Sequence, residues 1–369
     1  MSSKNYIIPW AKPLIDTKDV KTILSAATSQ WVSGGNYVNL FEKKLKNFLK
    51  VKYLATTSNG TSALSLAYLI LGLKKGDEIV VPSYGYMAAA NLAFNRGLKI
   101  KFADVDLETF CVTYNSLKKV VSKKTKLVVL IHTYGNVCEM DKIMKLKKNN
   151  NFYLLEDAAE AFGSKFKDKY AGTISDIGTF SFHATKCITT GEGGAICVNN
   201  KDLFKKVLLY RNHGVDKERY FHKVAGENFR MSNLQAALGF SQIARFKKII
   251  SKRRILFLKY KNIISKKDCV LQKVNKNVFF NPWTLSIRIK KNIGMKKRDM
   301  IIKKLKLNGV ETRNGFYAPN QINYFKIKKV FKNGSLLAKT IINLPIYEEL
   351  KENQVKKIVS FFNKTLKRI

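Results

Sequence analysis

Acidic residues are scarce in this chain: 26 Asp and Glu stand against 68 Lys and Arg, a formal net charge of +42. Basic proteins of this size often bind nucleic acid through phosphate contacts. The excess is uneven, however. Ile287 to Leu307 carries nine Lys/Arg against one Asp, whereas residues 151–200 carry four Lys against six Asp/Glu. Lysine and asparagine are abundant throughout, and zinc-finger spacing, a basic-zipper heptad and an aromatic RNA-binding motif are all missing, so no specific nucleic-acid partner is expected. Cysteine is sparse too. The five thiols, Cys111, Cys138, Cys187, Cys197 and Cys269, are odd in number and form no close ligand pair, which points to reduced cysteines in a cytoplasmic protein and to no metal site. No apolar run reaches about 18 residues and the N-terminus shows no signal pattern, so neither a membrane span nor export is expected. Internal repeats and low-complexity linkers are likewise missing.

What is present alternates. Short apolar runs recur at Tyr53-Leu54-Ala55, Glu78-Ile79-Val80-Val81, Lys101-Phe102-Ala103, Leu127-Val128-Val129-Leu130-Ile131 and Tyr153-Leu154-Leu155. Each is too short for a buried helix and is followed by turn residues, so each reads as a strand. Helical stretches lie between them, as at Thr61 to Leu71 and Ala88 to Asn95. Strand–helix alternation predicts an α/β fold with a mainly parallel sheet covered on both faces. From Met231 onward, Leu234, Leu238, Ile249, Leu256 and Tyr260 recur at helix-compatible spacing, which predicts one long helix to about residue 264. That helix would join a large domain, residues 1–245, to a smaller C-terminal α+β domain, residues 246–369.

Chemistry concentrates around one lysine. Lys186 lies in Phe180-Ser181-Phe182-His183-Ala184-Thr185-Lys186, followed by Gly191-Glu192-Gly193-Gly194; upstream, Asp157 ends the run Phe152 to Leu155 with its Glu156. In a chain so rich in lysine a solvated surface residue is the default, but phenylalanines and glycines flank this one rather than charges. A lysine just past a strand, paired with an aspartate at the end of another, suits pyridoxal phosphate chemistry: the amine bonds the cofactor and the carboxylate keeps the pyridine nitrogen protonated. Ser58-Asn59-Gly60-Thr61-Ser62 leads from a strand into a helix and offers backbone amides and hydroxyls to a phosphate, or serves as a plain helix cap.

Other motifs stand in a fixed order. They are Trp31-Val32-Ser33-Gly34-Gly35, Pro82-Ser83-Tyr84-Gly85-Tyr86, Asp104-Val105-Asp106, His132-Thr133-Tyr134-Gly135, Glu156-Asp157-Ala158-Ala159-Glu160 and Gly226-Glu227-Asn228-Phe229-Arg230-Met231-Ser232-Asn233. Together with the lysine block they resemble the fold-type I pyridoxal phosphate aminotransferases, and within them the DegT/StrS nucleotide-sugar aminotransferases, over almost the whole chain. The resemblance implies a large sheet domain and a small C-terminal domain, with Lys186 as the catalytic amine. It also implies a cofactor site of Gly60, Thr61, Tyr86, Asp157, Glu160, Ser181 and Asn228, the last presented to the phosphate of a neighbouring subunit in a homodimer. Trp31, Ser33, His183, Arg230 and Arg313 are the implied substrate contacts. Several of these keep a plainer alternative. Tyr84 and Tyr86 could be alternate residues of one strand, Arg313 a surface arginine, and His183 a packed hydrogen-bonding residue. Glu160 stands where glutamine is more usual in the family; it is either protonated or engages another donor. Cys187 matches no nucleophile role.

The implied reaction moves an amine from an amino acid, expected to be glutamate, to a nucleotide-linked keto-sugar. Arg219-Tyr220-Phe221-His222 leading to the Gly226 segment resembles members that aminate C4 of a GDP-linked 4-keto-6-deoxyhexose for cell-surface glycans, with C3 amination or UDP- and dTDP-sugars as alternatives. Relatives with histidine in place of the lysine dehydrate instead, and some are linked to regulation. An intact Lys186, Asp157 and Ser181 argues against both.

Overall fold

The computed structural model describes residues 8–367. Its main sheet has seven strands: β1 (Tyr53–Thr57), β2 (Glu78–Pro82), β3 (Lys99–Ala103), β4 (Thr125–Ile131), β5 (Tyr153–Asp157), β6 (Ile177–Ser181) and β7 (Gly194–Val198). They lie in the order β1-β7-β6-β5-β4-β2-β3. The sheet is mainly parallel, as expected; only β7 runs antiparallel to its two neighbours. Consequently β1, β2, β4, β5 and β6 all end at one edge.

Both faces are covered, and the strand period of two sorts side chains between them. Val128 and Leu130 of β4 join a core with Phe41 and Leu45 of the helix Asn36–Leu49. Leu127 and Val129 join the opposite core, with Leu64, Ala67 and Tyr68 of the helix Gly60–Ile70. That helix is apolar nearly all round and sits buried, as such helices must.

The predicted long helix is two. A capping box between Ser232 and Gln235 starts the first, Asn233–Ala244, and a second runs Phe246–Ile263. At Arg245 the backbone N–H turns back to Gln242 O, tightening the last turn, while the guanidinium reaches Asp16 at 2.7 Å, Asp19 at 2.5 Å and the Leu14 carbonyl. The break is thus bound to the N-terminal segment. Helix Phe246–Ile263 then bridges two cores: Phe246, Ile249 and Ile250 pack on the main sheet, and Leu256 and Tyr260 on a smaller one.

The smaller sheet comprises β8 (Cys269–Leu271), β9 (Leu285–Ile289), β10 (Arg313–Asn314) and β11 (Ile341–Leu344), antiparallel in the order β8-β9-β11-β10. Ile8 also packs here, hydrogen-bonding Gly309 and Glu311 through its backbone. The two sheets meet at Asp104, whose carboxylate accepts from Ser83 Oγ and from the Asn333 and Gly334 amides at the start of the helix Lys332–Thr340. A Cβ on Gly334 would lie 2.7 Å from Ser83 Oγ, so only glycine lets the helix come this close. The contact pins the loop that carries Tyr84 and Tyr86. Among the described residues, no helix is long and apolar enough to cross a membrane, and the five cysteines are buried free thiols.

Candidate active site

The shared edge of β1, β2, β4, β5 and β6 is where open α/β sheets place their ligands. Four strand ends meet there. Asp157 closes β5, Ser181 closes β6, Ser58 and Asn59 follow β1, and the His132–Gly135 turn follows β4. Lys186 comes next in the loop after β6, held by its own amide on His183 O at 2.8 Å. Its chain is half-buried and its amine stands 3.7 Å from the centroid of the Trp283 ring. Burial lowers the proton affinity of the amine, and the carboxylates of Glu160 and Asp157 pull it back only in part.

Glu156 and Asp157 are adjacent and have opposite fates. The strand alternation turns Glu156 inward to His132 Nε2 at 2.9 Å and to the amides of Gly172, Ile174 and Ser175. Burial would raise its pKa, but the His132 hydrogen bond and charge, with those amides, hold it below the ordinary carboxylate value. It is structural. Asp157 is 6% exposed and accepts from the Ala159 amide at 3.1 Å. Burial raises its pKa, only partly offset by that amide and by the charges of Lys186 and His132. A buried carboxylate so poorly compensated fits a cationic partner, and a pyridinium N–H would serve.

Glu160 is also buried, its Oε2 accepting the Tyr134 amide at 2.7 Å. That amide is aimed by a left-handed turn, with Tyr134 at φ 58°. Burial pushes the Glu160 carboxyl up to about 7, against the lowering effect of Lys186. Of the two roles open to Glu160, this favours the protonated form as a donor. Since the folded value lies above the ordinary 4.5, the stability Glu160 contributes is intact below that pH and is lost as pH rises through about 7. Glu160→Gln is neutral throughout, so it should gain on the parent across that interval by on the order of 3 kcal/mol at most. Urea unfolding of the cofactor-free protein at about pH 5 and about pH 8 checks this. An unchanged difference between the two proteins would contradict it.

The cradle beside β1 suits a phosphate. Asn59 caps the helix Gly60–Ile70 through Ser62 N at 2.7 Å, and Gly60 stands so near β6 that a Cβ there would lie 2.9 Å from Ser181 Cβ. Thr61 is exposed at the same helix end. Thr61 and Ser181 thus lie at the same helix end, where the free amides and the dipole favour an anion. Ser58 N donates to Phe229 O at 2.9 Å, which brings the segment containing Asn228 and Arg230 to the cradle's rim.

The other candidates sit farther out. Asn228 and Arg230 are exposed, hydrogen-bonded to each other at 3.3 Å, with Arg230 also on Asn212 at 2.7 Å. Trp31 and Ser33 lie on an exposed loop clamped by Asn233, which donates to the carbonyls of both. His183 bonds Thr185 Oγ1 at 3.0 Å and lies 3.6 Å from Glu192. Tyr86 is 63% exposed at the mouth, edge-on to Phe316 at 6.2 Å. Arg313 pairs with Glu311 at 2.6 Å and lies over Trp10, itself edge-on to Trp283.

An aromatic wall escaped the sequence reading. Tyr134 stacks on Phe316 at 5.2 Å and more loosely on Trp283 at 6.2 Å, while its hydroxyl meets that of Tyr84 at 2.9 Å. Trp283 and Phe316 come from the small-sheet half of the chain, 149 and 182 residues from Tyr134. No local pattern ties them to it.

The model of the DegT/DnrJ/EryC1/StrS aminotransferase family matches residues 13–363. The chain is 36% identical over 359 residues to the GDP-perosamine synthase of Escherichia coli O157:H7, covering 96% of this chain and 98% of that protein. Helicobacter pylori PseC, an aminotransferase involved in the biosynthesis of pseudoaminic acid, is similar in structure with a TM-score of 0.92 at 25% identity, over 98% of this chain and 100% of PseC. Escherichia coli GDP-4-keto-6-deoxy-D-mannose-3-dehydratase, solved with bound hydrated PLP, has a TM-score of 0.88 at 26% identity, over 96% and 99% of the two chains.

Proposed function

The chain belongs to the DegT/DnrJ/EryC1/StrS aminotransferase family, and from that premise we propose that it transfers an amino group from glutamate to C4 of a nucleotide-linked 4-keto-6-deoxyhexose, with GDP as the nucleotide, for cell-surface polysaccharide synthesis. It is an enzyme whose cofactor is pyridoxal phosphate. The observation that carries the reading is the meeting of Lys186, Asp157 and Glu160 beside the Gly60–Ser181 cradle. When bound, the cofactor supplies an electron sink at the reacting carbon. Gly60, Thr61 and Ser181 would hold its phosphate, Asp157 its ring nitrogen, Glu160 its phenolic oxygen, and Tyr86 one face of its ring.

Lys186 Nζ would anchor the cofactor and, when free, would serve as the base that holds and returns a proton. Its lowered proton affinity makes the neutral amine accessible, which a base requires. The small-sheet half shields this exchange from water with Trp283 and Phe316. Trp31, Ser33, His183, Arg230 and Arg313 line the approach for the sugar nucleotide. The relative's name and the Arg219–Met231 segment favour GDP and C4; UDP- or dTDP-linked 4-keto sugars and 3-keto isomers are the competing substrates. The test supplies glutamate with GDP-4-keto-6-deoxymannose beside those competitors and reads the products by mass and NMR. Preferential amination at C3 overturns the regiochemistry, and preference for uridine or thymidine overturns the nucleotide.

A cytoplasmic homodimer with shared sites completes the reading. Trp31 (71% exposed), Tyr220 (78%) and Phe221 (52%) leave large aromatic surface in water near the loops that carry Asn228 and Arg230, as an uncovered interface would. Mixing inactive Lys186→Ala chains with poorly active Asn228→Asp chains is therefore expected to restore activity, because some hybrid sites regain both native residues. No recovery despite verified subunit exchange would place Asn228 in its own chain's site.

A further inference from the structure

Trp283 is held on every side. Its indole Nε1–H donates to Thr185 O at 2.9 Å, the carbonyl just before Lys186. Its own carbonyl accepts from Arg253 Nη1 at 3.1 Å, and Arg253 is fixed by Glu348 at 2.5 Å, with side chains 3% and 4% exposed. Trp10 meets the ring edge-on at 5.6 Å, and Tyr134 lies nearly parallel to it at 6.2 Å. Lysine, by contrast, has a flexible four-carbon stem, and this one rests its Nζ 3.7 Å from the ring centroid.

We propose that Trp283 is a positioning residue, a fixed aromatic seat that holds the ammonium form of Lys186 whenever that amine is not joined to the cofactor. An aromatic face attracts the cation through its quadrupole yet offers no atom that accepts the proton. The charged and titratable groups facing the amine are Asp157 and Glu160 across the site and Cys187 beside it, with Arg253 and Glu348 behind Cys187. Carboxylates alone would draw the ammonium into an ion pair. The seat gives the cation a place that is electrostatically favourable and laterally defined. The amine can therefore be protonated, wait, and return its proton from one position.

The inference rests on Lys186 being the cofactor-bearing amine, and its test does not use turnover. In the cofactor-free full-length chain, trace acetylation of Lys186 is followed by peptide mass spectrometry across pH, because only the neutral amine reacts. Trp283→Leu should lower the proton affinity of Lys186 by about 5- to 30-fold, the loss of a partly desolvated cation–π contact, and so shift the labelling midpoint down. Its high-pH plateau should stay, since the neutral amine gains nothing from the quadrupole. Trp283→Phe should keep most of the native midpoint. Where Trp283→Leu fails to fold, uniformly fluorinated tryptophan weakens the quadrupole at nearly constant shape and should move the midpoint in the same direction. A midpoint unmoved by removing or fluorinating the ring overturns the seat. A plateau that rises with an unmoved midpoint also overturns it, since this means the ring only blocks access. Trapping of the cofactor on a different lysine would sink the functional reading instead.

Discussion

Lys186→Ala should abolish turnover, by at least about ten-thousandfold, since general base catalysis alone contributes up to that much and the covalent anchor is lost as well. The fold should persist. Lys186 makes no ion pair among the described residues, and removing a half-buried amine takes away a charge that burial already disfavours. The lowering effect of Lys186 on Asp157 and Glu160 disappears with it, so both carboxyls should titrate higher still in the variant. Steady-state assay and thermal unfolding together read this out. Substantial aminotransferase activity in Lys186→Ala would remove the central assignment.

Asp157→Asn should cost at least about a hundredfold in turnover, because an amide cannot stabilise a proton on the ring nitrogen and the electron sink weakens. Geometry is retained, since the asparagine oxygen can still accept the Ala159 amide. Stability should move the other way. Burial raises the folded pKa of Asp157 above its ordinary value, so the stability it contributes is present below that value and lost as pH rises. In the cofactor-free protein the neutral amide escapes this loss and should unfold no more easily than the parent at neutral pH. A variant that is slow but as stable as the parent separates function from folding. Normal rates with cofactor bound would refute the role.

Much of this was legible in the chain. The runs that became β4 and β5 have strand length and turn residues after them, so the sequence itself places Asp157 at one strand end and Lys186 just past another. The helix break at Arg245 could not, because the apolar spacing continues through it. What breaks the helix is an arginine bound to Asp16 and Asp19, more than 220 residues earlier. The aromatic wall was invisible for the same reason: Trp283 and Phe316 reach the site only when the second sheet docks, and although Phe316 follows Arg313 closely, nothing in the chain says that it meets Tyr134. Glu160 was seen, but whether it is protonated depends on burial and on the Tyr134 amide, which only the fold supplies. The basic excess remains without a role in this site, whose neighbourhood from residue 151 to 200 is acidic on balance.

The most direct measurement is reductive trapping. The holoenzyme is reduced with borohydride, digested, and searched by mass for the peptide that carries the cofactor. The account predicts a single modified lysine, Lys186, and no modified peptide from Lys186→Ala. A cofactor fixed to any other lysine, or trapped equally well in the alanine variant, would contradict it.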